Sequence, residues 1–182
     1  MITIISGTNR KGSNTHKVAL EYQRALSEKG FEAGILSLED IDVMHYSKAF
    51  ERIEDEILIP TTHFVFIIPE YNGSFPGVLK MLIDNTRSHS IWFHKKALLT
   101  GVATGRAGNL RGMDHLADIL NYIKITVHPN RLPISVVDKL LSPGGRLIDE
   151  NTLRAIGQQL DEFINWGGLA PLLETTARIG NK

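Results

Sequence analysis

The 182-residue sequence predicts a doubly wound α/β domain: a five-stranded parallel sheet with helices on both faces. Three observations lead there. Short apolar runs recur along the chain, and the strongest are continuously apolar rather than alternating, as strands covered on both faces should be. Between them lie helical patterns with an apolar residue every three or four positions. The loops after the first, third and fourth runs hold the unusual residues, at the strand ends where open parallel sheets bind ligands.

The first strand is ITII at residues 2–5. Val18, Ala19, Tyr22, Ala25 and Leu26 then share one helix face, and Gly30 supplies a stop. AGIL at 33–36 is the second strand, followed by a weaker, acidic helix candidate over 50–59. FVFII at 64–68 is the third strand. It runs into PEYNGSFPGVLK at 69–80, where Pro76 can take the first position of a helix. ALLTGV at 97–102 is the fourth strand. Leu110, Met113, Leu116, Ala117, Leu120 and Ile123 mark the next helix, ITV at 125–127 the fifth strand, and Leu153, Ile156, Leu160 and Phe163 the last helix. Residues 129–145 read as irregular. One domain therefore covers 1–166, and 167–182 form a weakly periodic tail, an arm or a disordered segment.

Composition narrows the function. Lys plus Arg equals Asp plus Glu at 20 each, so no overall field draws nucleic acid or an anionic membrane. No apolar run reaches the length of a membrane span, and the start MITIISG lacks a basic leader, so a cytoplasmic location is expected. With no cysteine there is no disulfide, thiolate nucleophile or cysteine metal site, and redox chemistry would need a bound cofactor. The seven histidines form no HxH or HxxxH pair, so no metal site is expected. Glu70 and Asp84 are isolated carboxylates, which gives hydrolysis no acid and base pair; Asp84 is expected to cap or pair near the end of its helix. Trp92 and Phe93 suit core packing, with a dimer surface or a cofactor cover as the alternative.

The first loop, SGTNRKGSNT at 6–15, brings hydroxyls, glycines and two adjacent cations to a helix N-terminus, where free N–H groups favour an anion. A plain loop with Ser13 as an ordinary helix cap is the competing reading. Neither GxGxxG nor GxxxxGK[ST] is present, and a longer hydroxyl-rich loop suits a single terminal phosphomonoester. In the third loop Gly73 permits close backbone approach, Asn72 offers donor and acceptor, and Tyr71 an aromatic surface. A heteroaromatic ring fits that description; an ordinary Asn-Gly turn fits it too.

Residues 7–13, GTNRKGS, resemble the Gly-Ser-x-Arg-x-x-Ser loop of the NADPH-dependent FMN reductase family, and PEYNGSFPGVLK resembles that family's flavin-ring loop almost letter for letter. The resemblance covers roughly residues 1–165. It implies a flavodoxin-like fold with non-covalent FMN, the phosphate at Thr8, Arg10, Ser13, Asn14 and Thr15, and the ring beside Pro69, Glu70, Tyr71, Asn72, Gly73 and Ser74. In the fourth loop, ATGRAGN at 103–109, Thr104, Gly105 and Gly108 would wrap the other flavin edge. This chain departs from the family's glycine pair there by placing Arg106 and Ala107 between its glycines; Arg106 could meet a cofactor phosphate or face solvent.

The function so implied is transfer of a hydride from NAD(P)H to FMN, then reduction of a small acceptor: free flavin, a quinone, an azo compound or a metal oxyanion. The flavin performs the chemistry, so no catalytic side chain is assigned. The resemblance also implies a homodimer or tetramer. The alternatives are a flavodoxin-type electron carrier, which such a neutral chain does not favour, and a non-enzymatic flavin-binding regulator.

Overall fold

The structure, a computed structural model, describes residues 1–171. Strands β1 (Ile2–Ser6), β2 (Ala33–Ser37), β3 (His63–Pro69) and β4 (Lys96–Val102) pair in parallel in the order β2-β1-β3-β4. The fifth position, beside β4, is shared by two short strands, β5 (Thr126–Val127) and β6 (Leu132–Ile134). Successive connections run outward on one side from β1 to β2 and on the other from β3 onward. The order therefore reverses between β1 and β3, the flavodoxin-like arrangement in which a ligand crevice opens at that reversal.

The split of the fifth strand follows from Pro129. Thr126 and Val127 align with Lys96 and Ala97, and His128 N–H still donates to Ala97 O at 2.8 Å. The next residue has no N–H and interrupts the ladder. Pairing resumes when Leu132, Pro133 and Ile134 align with Thr100, Gly101 and Val102. Part of the stretch expected to be irregular is thus a strand, and residues 137–139 form a 3₁₀ turn.

Both faces of the sheet are covered, which explains the continuous apolar runs. Phe64, Phe66, Ile68 and Leu99 pack on one face with Trp92, Leu116 and Leu120; Ile4, Val65, Ile67 and Leu98 pack on the other with Val18, Tyr22, Leu160 and Phe163. Helices α1 (Asn14–Glu28) and α6 (Glu150–Gly167) supply the second layer. Tyr22, Thr100 and Gln159 join α1, β4 and α6 through a buried network, in which Gln159 Nε2 also reaches Leu99 O at 3.1 Å and Asn130 O at 2.9 Å.

On the first face, α2 (Lys48–Ile53) continues into a π-helical turn over Glu54–Leu58, where a single acidic helix was expected. The fully buried Glu54 carboxylate there accepts from Arg87 N–H at 2.7 Å and Arg87 Nε at 2.8 Å. Helix α3 (Gly77–Asn85) is preceded by Pro76 as its cap, one residue before the expected helical position. Asp84 pairs with Lys80 at 2.6 Å, as expected near the helix end. The short α4 (Ser88–Ile91) carries no periodic signal of its own. Trp92 is wholly buried and donates Nε1–H to Thr86 at 2.9 Å, which is the core-packing reading. Helix α5 (Leu110–Tyr122) follows β4.

Helix α6 runs to Gly167, and Gly168 closes it at φ 67, so the expected tail boundary at 166 falls in its last turn. Most of that tail lies outside the described residues. Among the described residues, no helix is long and apolar enough to cross a membrane.

Candidate functional site

The register of β1 and β3 sets their carboxyl ends side by side. Ser6 aligns with Ile67, and Gly7 N–H donates to Ile67 O at 2.9 Å, so the loops after both strands leave the sheet together. In the first loop Thr8 is fully buried, while Arg10 is exposed. Ser13 caps α1 by accepting from His16 N–H at 3.1 Å. That bond uses a lone pair and leaves the Ser13 proton available, so a capping role and an anion-donor role coexist. The N–H groups of Asn14 and Thr15, in the first turn of α1, have no intrahelical acceptor. Asn14 Oδ1 accepts from Lys17 at 3.1 Å, which leaves its amide N–H₂ free.

The third loop is a miniature hairpin. Tyr71 and Ser74 exchange both backbone bonds, at 2.8 and 3.1 Å, around Asn72 at φ 52 and Gly73 at φ 76. Two successive positive φ values define a type I′ turn, the one that Asn-Gly favours. Thus the ordinary-turn reading is right about the backbone, and the turn puts the Asn72 and Gly73 amides at an exposed tip with no acceptor among the described residues. Glu70 is exposed, and its N–H is tied to Val102 O at 3.1 Å.

The first and third loops meet through side chains. Tyr71 OH lies 2.6 Å from Thr8 Oγ1, Arg10 N–H donates to the same oxygen at 3.3 Å, and the Arg10 guanidinium sits 4.1 Å from the Tyr71 ring centroid. The ring of Tyr71, expected to offer a surface to a ligand ring, is here stacked beneath Arg10.

The fourth loop is fastened to the third by Asn109, which sequence reasoning missed. It caps α5 at φ 61, is fully buried, and donates Nδ2–H to Ile68 O at 3.1 Å and Pro69 O at 2.8 Å. A Cβ at Gly112 would stand 2.1 Å from Asn109 Oδ1, so the absence of a side chain there makes room for this amide. Gly108 is buried beneath the loop, whereas Thr104 and Gly105 are exposed on it. Arg106 is also exposed, the solvent-facing alternative, and its carbonyl accepts from Ser135 at 2.7 Å. Two α5 residues complete the rim: His115 Nδ1 is 2.9 Å from Ser74 Oγ, and Arg111 Nη1 borders Gly73.

The model of the NADPH-dependent FMN reductase family matches residues 1–137. The chain belongs to that family. It is 30% identical to an NAD(P)H-dependent FMN reductase of Pseudomonas aeruginosa, over 89% of this chain and 92% of the relative. It is 29% identical to a quinone reductase of Pseudomonas putida, over 91% and 93%. In fold it resembles the flavoenzyme NAD(P)H:(acceptor) oxidoreductase of Paracoccus denitrificans, with a TM-score of 0.72 at 22% identity, covering 91% of this chain and 95% of that one.

Membership in the FMN reductase family brings FMN as cofactor and NAD(P)H as co-substrate, and the donor chemistry of the loops suits both ends of FMN. At the first loop, hydroxyls, free helix-start amides and an Arg10 without a carboxylate partner among the described residues could hold a phosphate dianion. At the hairpin tip, two free amides and a glycine could face the polar edge of a flat ring. Among the described residues the first loop makes one ion pair, Lys11 with Asp40 at 3.4 Å, at its exposed outer edge. Among the described residues, no group of three or more acidic or histidine side chains could hold a metal. A cavity of about 520 Å³ around Met1, Phe31, Gly34 and Leu169 lies at the opposite ends of the strands, away from these loops.

Proposed function

We propose that this FMN reductase family member is an FMN-dependent NAD(P)H oxidoreductase with its phosphate seat at Thr8, Arg10, Ser13, Asn14 and Thr15. The ring seat is formed by the backbone of residues 69–74, and Thr104, Gly105 and Gly108 border its other edge. The observation that carries this reading is the meeting of an anion-donor loop and an Asn-Gly hairpin at the β1/β3 reversal, joined by the Thr8 and Tyr71 hydroxyls. Bound FMN would supply the centre that accepts a hydride from NAD(P)H and returns two electrons to an acceptor. The chain's own part is to neutralise the phosphate, orient the ring and leave one ring face accessible.

Quinones are the first acceptors to assay, because the P. putida relative is a quinone reductase. Free flavin, azo compounds and metal oxyanions follow. A homodimer or tetramer through α3 and α5 is supported by the exposure of Leu110 and Tyr122, 51% and 87%, and by a groove of about 440 Å³ between those helices. The balance of 20 basic against 20 acidic residues supports small molecules, not nucleic acid, as its partners.

A domain of this size has room for one substrate at a time on the exposed flavin face. Initial rates against NAD(P)H at several quinone concentrations should therefore give parallel lines. Intersecting lines would show a ternary complex and a separate acceptor site.

A further inference from the structure

The contact between Tyr71 and Thr8 fixes more than loop position. Thr8 Oγ1 has two lone pairs and one proton. One lone pair takes the Arg10 N–H, and the 2.6 Å contact to Tyr71 is short enough to be a strong O–H···O bond. A phenol, with a pKa near 10, is a better donor and a poorer acceptor than an alcohol, so Tyr71 donates and Thr8 accepts. Both lone pairs of Thr8 are then filled. In this direction its proton has no second acceptor among the described residues, although the side chain is fully buried; in the reverse direction the phenol oxygen would take it. A buried hydroxyl proton without a partner is costly, and a phosphate oxygen arriving at the first loop would take it.

The Tyr71 ring performs a second task. Arg10 is exposed and held by no carboxylate among the described residues; the ring beneath it, 4.1 Å away, limits where its charge can go without neutralising it. One side chain from the ring loop thus sets a donor and a cation of the phosphate loop.

We propose that Tyr71 is the positioning residue that makes this site select FMN over unphosphorylated flavin, by turning the Thr8 proton and the Arg10 guanidinium toward the phosphomonoester. The inference rests on the FMN seat described above, and takes Tyr71 away from the flavin ring, the role its place in the ring loop suggests.

The test is fluorescence titration of the full chain, stripped of flavin, with FMN and with riboflavin. In Tyr71→Phe the ring stays and the hydroxyl goes, so FMN affinity should fall about tenfold, while riboflavin affinity changes less than about twofold. In a Thr8→Val background the same Tyr71→Phe change should have little further effect on FMN, because the hydroxyl acts through Thr8. Equal losses for the two ligands would overturn the proposal and place Tyr71 at the ring or in general support of the fold. Full additivity with Thr8→Val would overturn the relay. A wild-type protein that binds riboflavin as tightly as FMN would refute the phosphate seat itself, a different failure from an unchanged FMN preference in Tyr71→Phe.

Discussion

Asn109 Nδ2 donates to the Pro69 carbonyl at 2.8 Å, so the loop after the fourth strand carries the clamp that holds the end of the third. The same nitrogen reaches Ile68 O at 3.1 Å, and the Asn109 backbone caps α5 at φ 61. A left-handed cap costs asparagine less than most residues, and its amide spans two carbonyls that no other side chain among the described residues reaches. The geometry of the hairpin at residues 71–74 therefore depends on a residue from another loop.

Replacing Asn109 by glycine keeps access to the left-handed backbone and removes both donors. Stability should fall by about 1 to 3 kcal/mol, from two lost hydrogen bonds and a Pro69 carbonyl left without its side-chain donor, and flavin binding should weaken with it. Urea denaturation measures the first effect and flavin titration the second. Unchanged values for both would show that the clamp is incidental.

Gly73→Val should lower flavin content without unfolding the domain. A β-branched residue at φ 76 is strained by about 1 to 3 kcal/mol, and its Cβ would approach Arg111 Nη1 at 3.0 Å, a flexible neighbour that can move. The cost falls on a hairpin tip that few core contacts require. The ratio of flavin to protein, read beside a far-UV circular dichroism spectrum, checks this; normal flavin content in a folded variant would remove the tip from the site.

His63 should make the fold acid-sensitive. It is 9% exposed, with Nδ1 at 2.9 Å from Thr62 Oγ1 and Nε2 at 3.2 Å from Gly167 O. Burial pushes its pKa below the ordinary 6.5; the Gly167 carbonyl opposes the shift, and Lys96 and the terminal ammonium add to it. Above about pH 6.5 the ring is neutral in folded and unfolded chains alike and contributes no pH dependence. Below it the unfolded chain binds a proton that the folded chain refuses, so stability falls with pH until the folded pKa is reached. His63→Gln should flatten the denaturation midpoint against pH between about pH 6.5 and 5; parallel profiles for wild type and variant would contradict this.

The strands and long helices were legible because burial on both faces leaves continuous apolar runs, and because α1, α5 and α6 each bury a stripe. Thr126 and Val127 fall within the expected fifth run, but the second short strand that continues it was not legible. Leu132, Pro133 and Ile134 form three residues of strand with a proline in the middle, tolerated because they lie at the sheet edge. The π-helical turn at Glu54–Leu58 was hidden by an ordinary acidic helix pattern. At the site, the glycines and hydroxyls pointed to the loops, since those residue types have few reasons to cluster at strand ends. Asn109 left only a faint signal, an Asn after a Gly before an apolar helix, and its partners are distant in sequence. The direction of the Tyr71 side chain is a tertiary fact that no local pattern contains.

If FMN binds at the meeting of these loops and takes reducing equivalents from NAD(P)H, its colour must report both. The most direct measurement is the visible absorbance of the purified, FMN-loaded protein before and after anaerobic addition of NADPH or NADH. The protein should be yellow, hold about one FMN per chain, bleach with either nicotinamide and recover its colour when a quinone is added. A protein that holds no FMN, or one whose bound flavin keeps its colour with both nicotinamides, would contradict it.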